Sequence, residues 1–137
     1  MLDIHQDPVD ELLSRVLTAC RDTEHLAAQL AKSAQRESLR RLLQDRAASY
    51  RGIACELQRS GGESGFGEAY PPDVPGEPLQ QHADIDSIWE AVECSTLICF
   101  RDALDAELPH EVDAVVRRGI SDGVSALERL RSLPREQ

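Results

Sequence analysis

The 137-residue sequence predicts an all-α protein, a single four-helix bundle with one long crossover connection between its second and third helices. Three observations carry that prediction. Apolar residues recur in steps of three and four through residues 8–34, 38–60, 85–108 and 110–133, the period of amphipathic helices. Residues 61–84 have no such period and hold five of the eight glycines and four of the seven prolines. Fully extended, that stretch reaches about 80 Å, whereas a helix of the same residue count is about 36 Å long. The connection is therefore long enough to run the length of the bundle and start the third helix parallel to the second. A tight antiparallel turn needs far fewer residues, although a loose loop between antiparallel neighbours would also have this length.

Each helix has its own signals. Asp7-Pro8 opens the first, because Asp caps free amides and Pro fits the first turn. Its seam then runs Val9, Leu13, Val16, Cys20, Thr23, Ala27, Leu30 and Ala34, with Asp10, Arg15, Arg21 and Lys32 on the polar side. In the second helix the seam is Leu39, Leu43, Arg46, Tyr50, Ile53 and Leu57, flanked by Ala47 and Ala54, and Gly61-Gly62 stops it. The third starts near Asp84 and carries Ile85, Ile88, Trp89, Val92, Thr96, Cys99, Phe100, Ala103 and Leu104. Its middle, Cys94 to Phe100, has no charge on any side, which predicts burial on more than one face and hence a contact between copies. Pro109 divides the third helix from the fourth, whose seam is Val112, Val116, Gly119, Gly123, Leu127 and Leu130. Gly119 and Gly123 each cost about 1 kcal/mol relative to Ala inside a helix. Close helix approach, room for Trp89 or Tyr50, or a ligand-sized gap are the compensations they suggest.

Charge and composition narrow the function classes. The net charge is −10, and residues 61–113 contain thirteen acidic residues against the single base Arg101. Such a chain repels phosphate backbones and anionic lipid, which argues against nucleic-acid and membrane partners. No apolar run approaches the roughly 20 residues that span a bilayer, and the first residues lack a signal-peptide pattern. A cytoplasmic protein with reduced cysteines is the expectation. The acidic segment is either a solvated face or a surface that meets the Arg-rich second helix of another copy.

Two stretches carry a family resemblance. Leu42-Leu43-Gln44-Asp45-Arg46-Ala47 runs on through Tyr50 to Glu56-Leu57-Gln58 and Gly61-Gly62, and Phe100-Arg101-Asp102-Ala103-Leu104 is followed by Leu108-Pro109-His110-Glu111-Val112. In these and in its first helix the chain resembles small bacterial ferritin-like proteins, a family of unknown function distantly related to rubrerythrins. The resemblance implies a ferritin-like bundle. Metal-binding bundles of that kind take one Glu from each of two helices and a Glu-x-x-His pair from each of the other two. Here the second and fourth helices have no interior histidine, Glu107-Leu108-Pro109-His110 is broken by its proline, and Asp22 with His25 is a lone pair on the first helix. The di-iron set is thus incomplete, and no cofactor or resident metal is expected.

Two constellations remain. Counting helical rise places Glu24, Arg46 and Glu93 near one level, where a guanidinium between two carboxylates would balance charge, or where each faces water on its own helix. The same count brings Cys20, Cys55 and Cys99 to one height, with Cys20 and Cys99 in core seams. They read as inert core fillers or as a soft-metal or redox site. No phosphate loop, nucleophile elbow, CxxC or HExxH is present. Phe66, Gly67 and Tyr70 anchor the crossover or meet a partner. The sequence therefore suggests a non-enzymatic structural or interaction protein that dimerises through its third helix. A metal- or redox-linked protein with its own ligand set and a small-molecule carrier are the alternatives.

Overall fold

The computed structural model describes residues 8–60 and 84–133. They form four helices: α1 Pro8–Ser33, α2 Glu37–Ser60, α3 Ile85–Leu104 and α4 His110–Ser132. Residues 61–83, with Phe66, Gly67 and Tyr70, lie outside the described residues, as do Asp7 and the side chains of Val9 and Asp10. No described residue is in a strand, and no described helix is long and apolar enough to cross a membrane.

The helices pack as a square in which α1 touches α2 and α3, and α4 touches α2 and α3. Side-chain pairs give their directions. Thr23 meets Thr96 and Arg36 meets Asp86, so α3 runs against α1. Glu56 pairs with Arg118 and Asp45 with Arg129, so α4 runs against α2. Across the diagonal, Arg46 bonds Glu93 while Tyr50 meets the Phe100 ring, so α2 and α3 run the same way. Ser60 and Ile85, the ends that residues 61–84 join, therefore sit at opposite ends of the bundle.

The core is the sum of the four seams. Every described seam position of α1, α2 and α4 is buried, from Leu13 to Ala34, Leu39 to Leu57 and Val112 to Leu130. In α3 the innermost positions are Trp89, Glu93, Thr96, Leu97, Phe100 and Ala103, and Ile85, Ile88, Val92, Cys99 and Leu104 lie at the margin of the core. Asp84 caps α3 by accepting from the Asp86 amide at 3.2 Å and the Ser87 hydroxyl at 2.9 Å. Arg36 locks the same end to the α1–α2 turn through two bonds to Asp86, at 2.5 and 2.7 Å.

The third helix is shorter than its pattern predicts. It ends at Leu104, not residue 108, as the amides of Asp105 and Ala106 turn back to the carbonyls of Asp102 and Ala103. The cause is Pro109, which disfavours helical backbone at the residue before it and cannot donate to a continuing helix. The α4 glycines are also explained differently from the sequence reading. A Cβ on Gly119 would strike the ring of Phe100, and one on Gly123 would lie 2.7 Å from Leu97 Cδ2. Phe100 and Leu97, not Trp89 or Tyr50, take the space, and they leave no ligand-sized gap over these two glycines.

Candidate functional site

The polar centre of the bundle is built on one stripe of α2 and one turn of α3. Arg46 and Tyr50 are four residues apart, so both project from the same face of α2. Glu93 faces them from α3 and is fully buried, while Arg46 is 4% exposed. Arg46 donates from Nε to Glu93 Oε1 and from Nη2 to Oε2, each at 3.0 Å. This two-pronged geometry is the strongest that Arg and a carboxylate make. The Tyr50 hydroxyl donates to Glu93 Oε2 in a short bond. The Arg46 guanidinium also lies 4.8 Å from the centre of the Tyr50 ring. Behind it, Phe100 meets that ring edge to face at 6.3 Å.

Electrostatics follow from this packing. Burial works against the Arg46 charge, but the bonds and charge of Glu93 outweigh it and hold the guanidinium above its ordinary value. Burial, then the Glu93 charge, push the Tyr50 phenol well above its usual range. Tyr50 therefore stays a donor at any physiological pH. The Gly123 backbone closes over the cluster, close enough that a Cβ there would lie 3.5 Å from Glu93 Oε2. One turn away, Trp89 Nε1 is buried with no hydrogen-bond partner.

Of the expected triad, the structure brings Arg46 and Glu93 together and leaves Glu24 outside. Glu24 accepts from Arg51 at 2.8 Å and from Arg21 at 3.4 Å, tying α1 to α2 on the outer side. The physical reason is its position next to Thr23, which holds the seam and spends its hydroxyl on Thr96 at 2.9 Å. Since Thr96 gives its own proton to the Val92 carbonyl, Thr23 is the donor of that pair. Tyr50 is the member that sequence reasoning missed. Its spacing from Arg46 was the available signal.

The cysteines separate by depth. Cys20 is fully buried, Cys99 and Cys94 are half-buried and Cys55 is exposed, and all four are free thiols. Burial pushes the Cys20 thiol well above its usual range, and the nearby Cys99 adds to the rise. Cys99 is also raised, by burial and then by Asp102, with Arg15 acting the other way. Cys55 is turned away from the other two, toward solvent. Among the described residues no group of three or more His, Cys, Asp or Glu side chains is placed to hold a metal ion. The sequence matches no protein-family model, and a search of curated proteins finds no relative.

Proposed function

We propose that this is a ferritin-like bundle whose centre is a structural ion pair, and that it works as a non-enzymatic scaffold or interaction protein paired with a second copy through α3. The observation that carries this reading is the saturation of Glu93. Both of its oxygens are bound, one by Arg46 and the other by Arg46 and Tyr50 together. A bridging carboxylate of a di-iron centre needs those lone pairs for metal, and an adjacent guanidinium repels a cation. The residues present do not fit that group. Thiol chemistry has little support at Cys20, whose raised pKa keeps it the weakly nucleophilic thiol. The carrier reading loses its proposed space over α4 to Phe100 and Leu97.

Anaerobic titration with ferrous iron, followed by exposure to air, tests the central claim. The expected result is no stoichiometric binding and no visible band of an oxo-bridged centre. Two irons per chain with that band, lost in Glu93→Ala, would overturn it.

A further inference from the structure

Resting on that reading of a paired protein, we infer that the α1–α3 groove is its self-association surface and that a two-fold axis passes between Arg15 and Asp102. The groove has a volume of about 220 Å³ and is lined by Leu12, Arg15 and Val16 of α1 and by Ser95, Ile98, Cys99 and Asp102 of α3. Ile98 stands 59% exposed at its edge, although it belongs to the uncharged middle of α3. Small-molecule sites have volumes of roughly 300–1,000 Å³. The groove falls below that range and suits side chains.

Its residues are self-complementary. Starting from the Thr23–Thr96 contact, Arg15 and Asp102 lie within about 3 Å of one level, on opposite walls. Because α1 and α3 are antiparallel, Leu12 and Ile98 lie on opposite sides of that level, displaced by about 5 and 6 Å. A two-fold axis midway between the walls therefore brings Asp102 to Arg15 of the partner copy and Ile98 onto Leu12 of the partner copy, twice over. Neither charge has a strong partner within its own chain. Arg15 reaches only the exposed Glu11, at 3.5 Å, and no described base bonds Asp102. An unrelated partner would have to supply a base, an acid and a knob in this spatial order, whereas a second copy has all three. Two-fold pairing is also the commonest symmetry of soluble oligomers.

Sedimentation equilibrium of the full chain at tens of micromolar tests this with three variants, Ile98→Lys, Arg15→Asp and Asp102→Arg. All three sites are exposed, so folding is retained. Wild type should sediment as a dimer and Ile98→Lys as a monomer. Each charge variant alone places like charges across the axis twice, and its dimer should dissociate about tenfold more readily. Mixed in equal amounts, Arg15→Asp and Asp102→Arg should recover the wild-type dimer mass, because only the mixed dimer restores both pairs. A monomeric wild type would overturn the paired reading itself. A dimeric wild type whose Ile98→Lys variant is still dimeric, or charge variants that do not recover on mixing, would leave that reading standing and overturn this groove.

Discussion

Glu93 shows what a single side chain controls here. Replacing it by Gln removes the charge that compensates Arg46 and leaves a guanidinium in a dry core, a change that typically costs about 3–5 kcal/mol. Urea denaturation of Glu93→Gln should show that loss, with Tyr50→Phe losing about 1.5–3 kcal/mol for its one bond to a charged group. Equal, small losses in both would mean that the centre is wet. Cys20 sets a pH dependence. Its thiol is raised in the folded state, whereas in the unfolded chain it ionises near pH 8.5. Above that pH the unfolded state binds fewer protons than the folded one, so stability is full at neutral pH and falls as pH rises. One such thiol removes at most about 1.4 kcal/mol per pH unit. The denaturation midpoint should decline from about pH 8.5 upward. In Cys20→Ala the midpoint at neutral pH should be lower, because a cavity opens, but the alkaline decline should be shallower. At this scale Arg46 was legible, since a charged residue within an apolar seam marks a buried pair. Glu24 was misplaced because counting rise gives height along a helix and not direction around it.

Among the elements, α4 and α2 carry a contrast that separates helix propensity from packing. Gly52 lies on the exposed side of α2, where an added methyl group would meet nothing within 4 Å, whereas Gly119 lies against the Phe100 ring. Gly52→Ala should therefore raise stability by up to about 1 kcal/mol. Gly119→Ala gains the same propensity, yet it forces a rigid ring that is itself wedged against Tyr50, an overpacking cost of about 1–3 kcal/mol. Gly123→Ala should fall between them, because its obstacle is the movable end of Leu97. Thermal midpoints that rank the three otherwise would contradict this account. Helix bounds were readable to within a residue for α1, α2 and α4, where seam, cap and breaker agree. The end of α3 was not, because its apolar pattern continues through Leu108 while Pro109 acts backwards on the residues before it. The glycines signalled close approach, but their occupants depend on rotation about the α3 axis, which periodicity alone does not fix.

For the whole molecule the question is whether the ionic centre stabilises the bundle or selects its arrangement. The direction of α3 relative to α2 was legible from the length of the connection, since a chain of that length can traverse the bundle. What holds the two parallel helices in register across the diagonal was not, and the structure supplies one polar link there, Arg46 with Tyr50 against Glu93. Taking both charges out of water costs several kcal/mol, so a well-packed apolar pair of similar volume is often neutral or more stable by about 1–4 kcal/mol. The double variant Arg46→Met with Glu93→Leu should accordingly unfold at or above the wild-type temperature, even though Glu93→Gln alone unfolds well below it. The apolar seams, with Leu17, Leu43, Trp89 and Phe100 fully buried, are sufficient to keep the four helices together. Without the polar link, α2 and α3 are free to slide by a turn. Amide hydrogen exchange should then show weaker protection in the middle of both helices, despite the higher midpoint. A double variant that melts lower than Glu93→Gln would assign the pair to stability. One with unchanged protection would show that the seams alone determine the register.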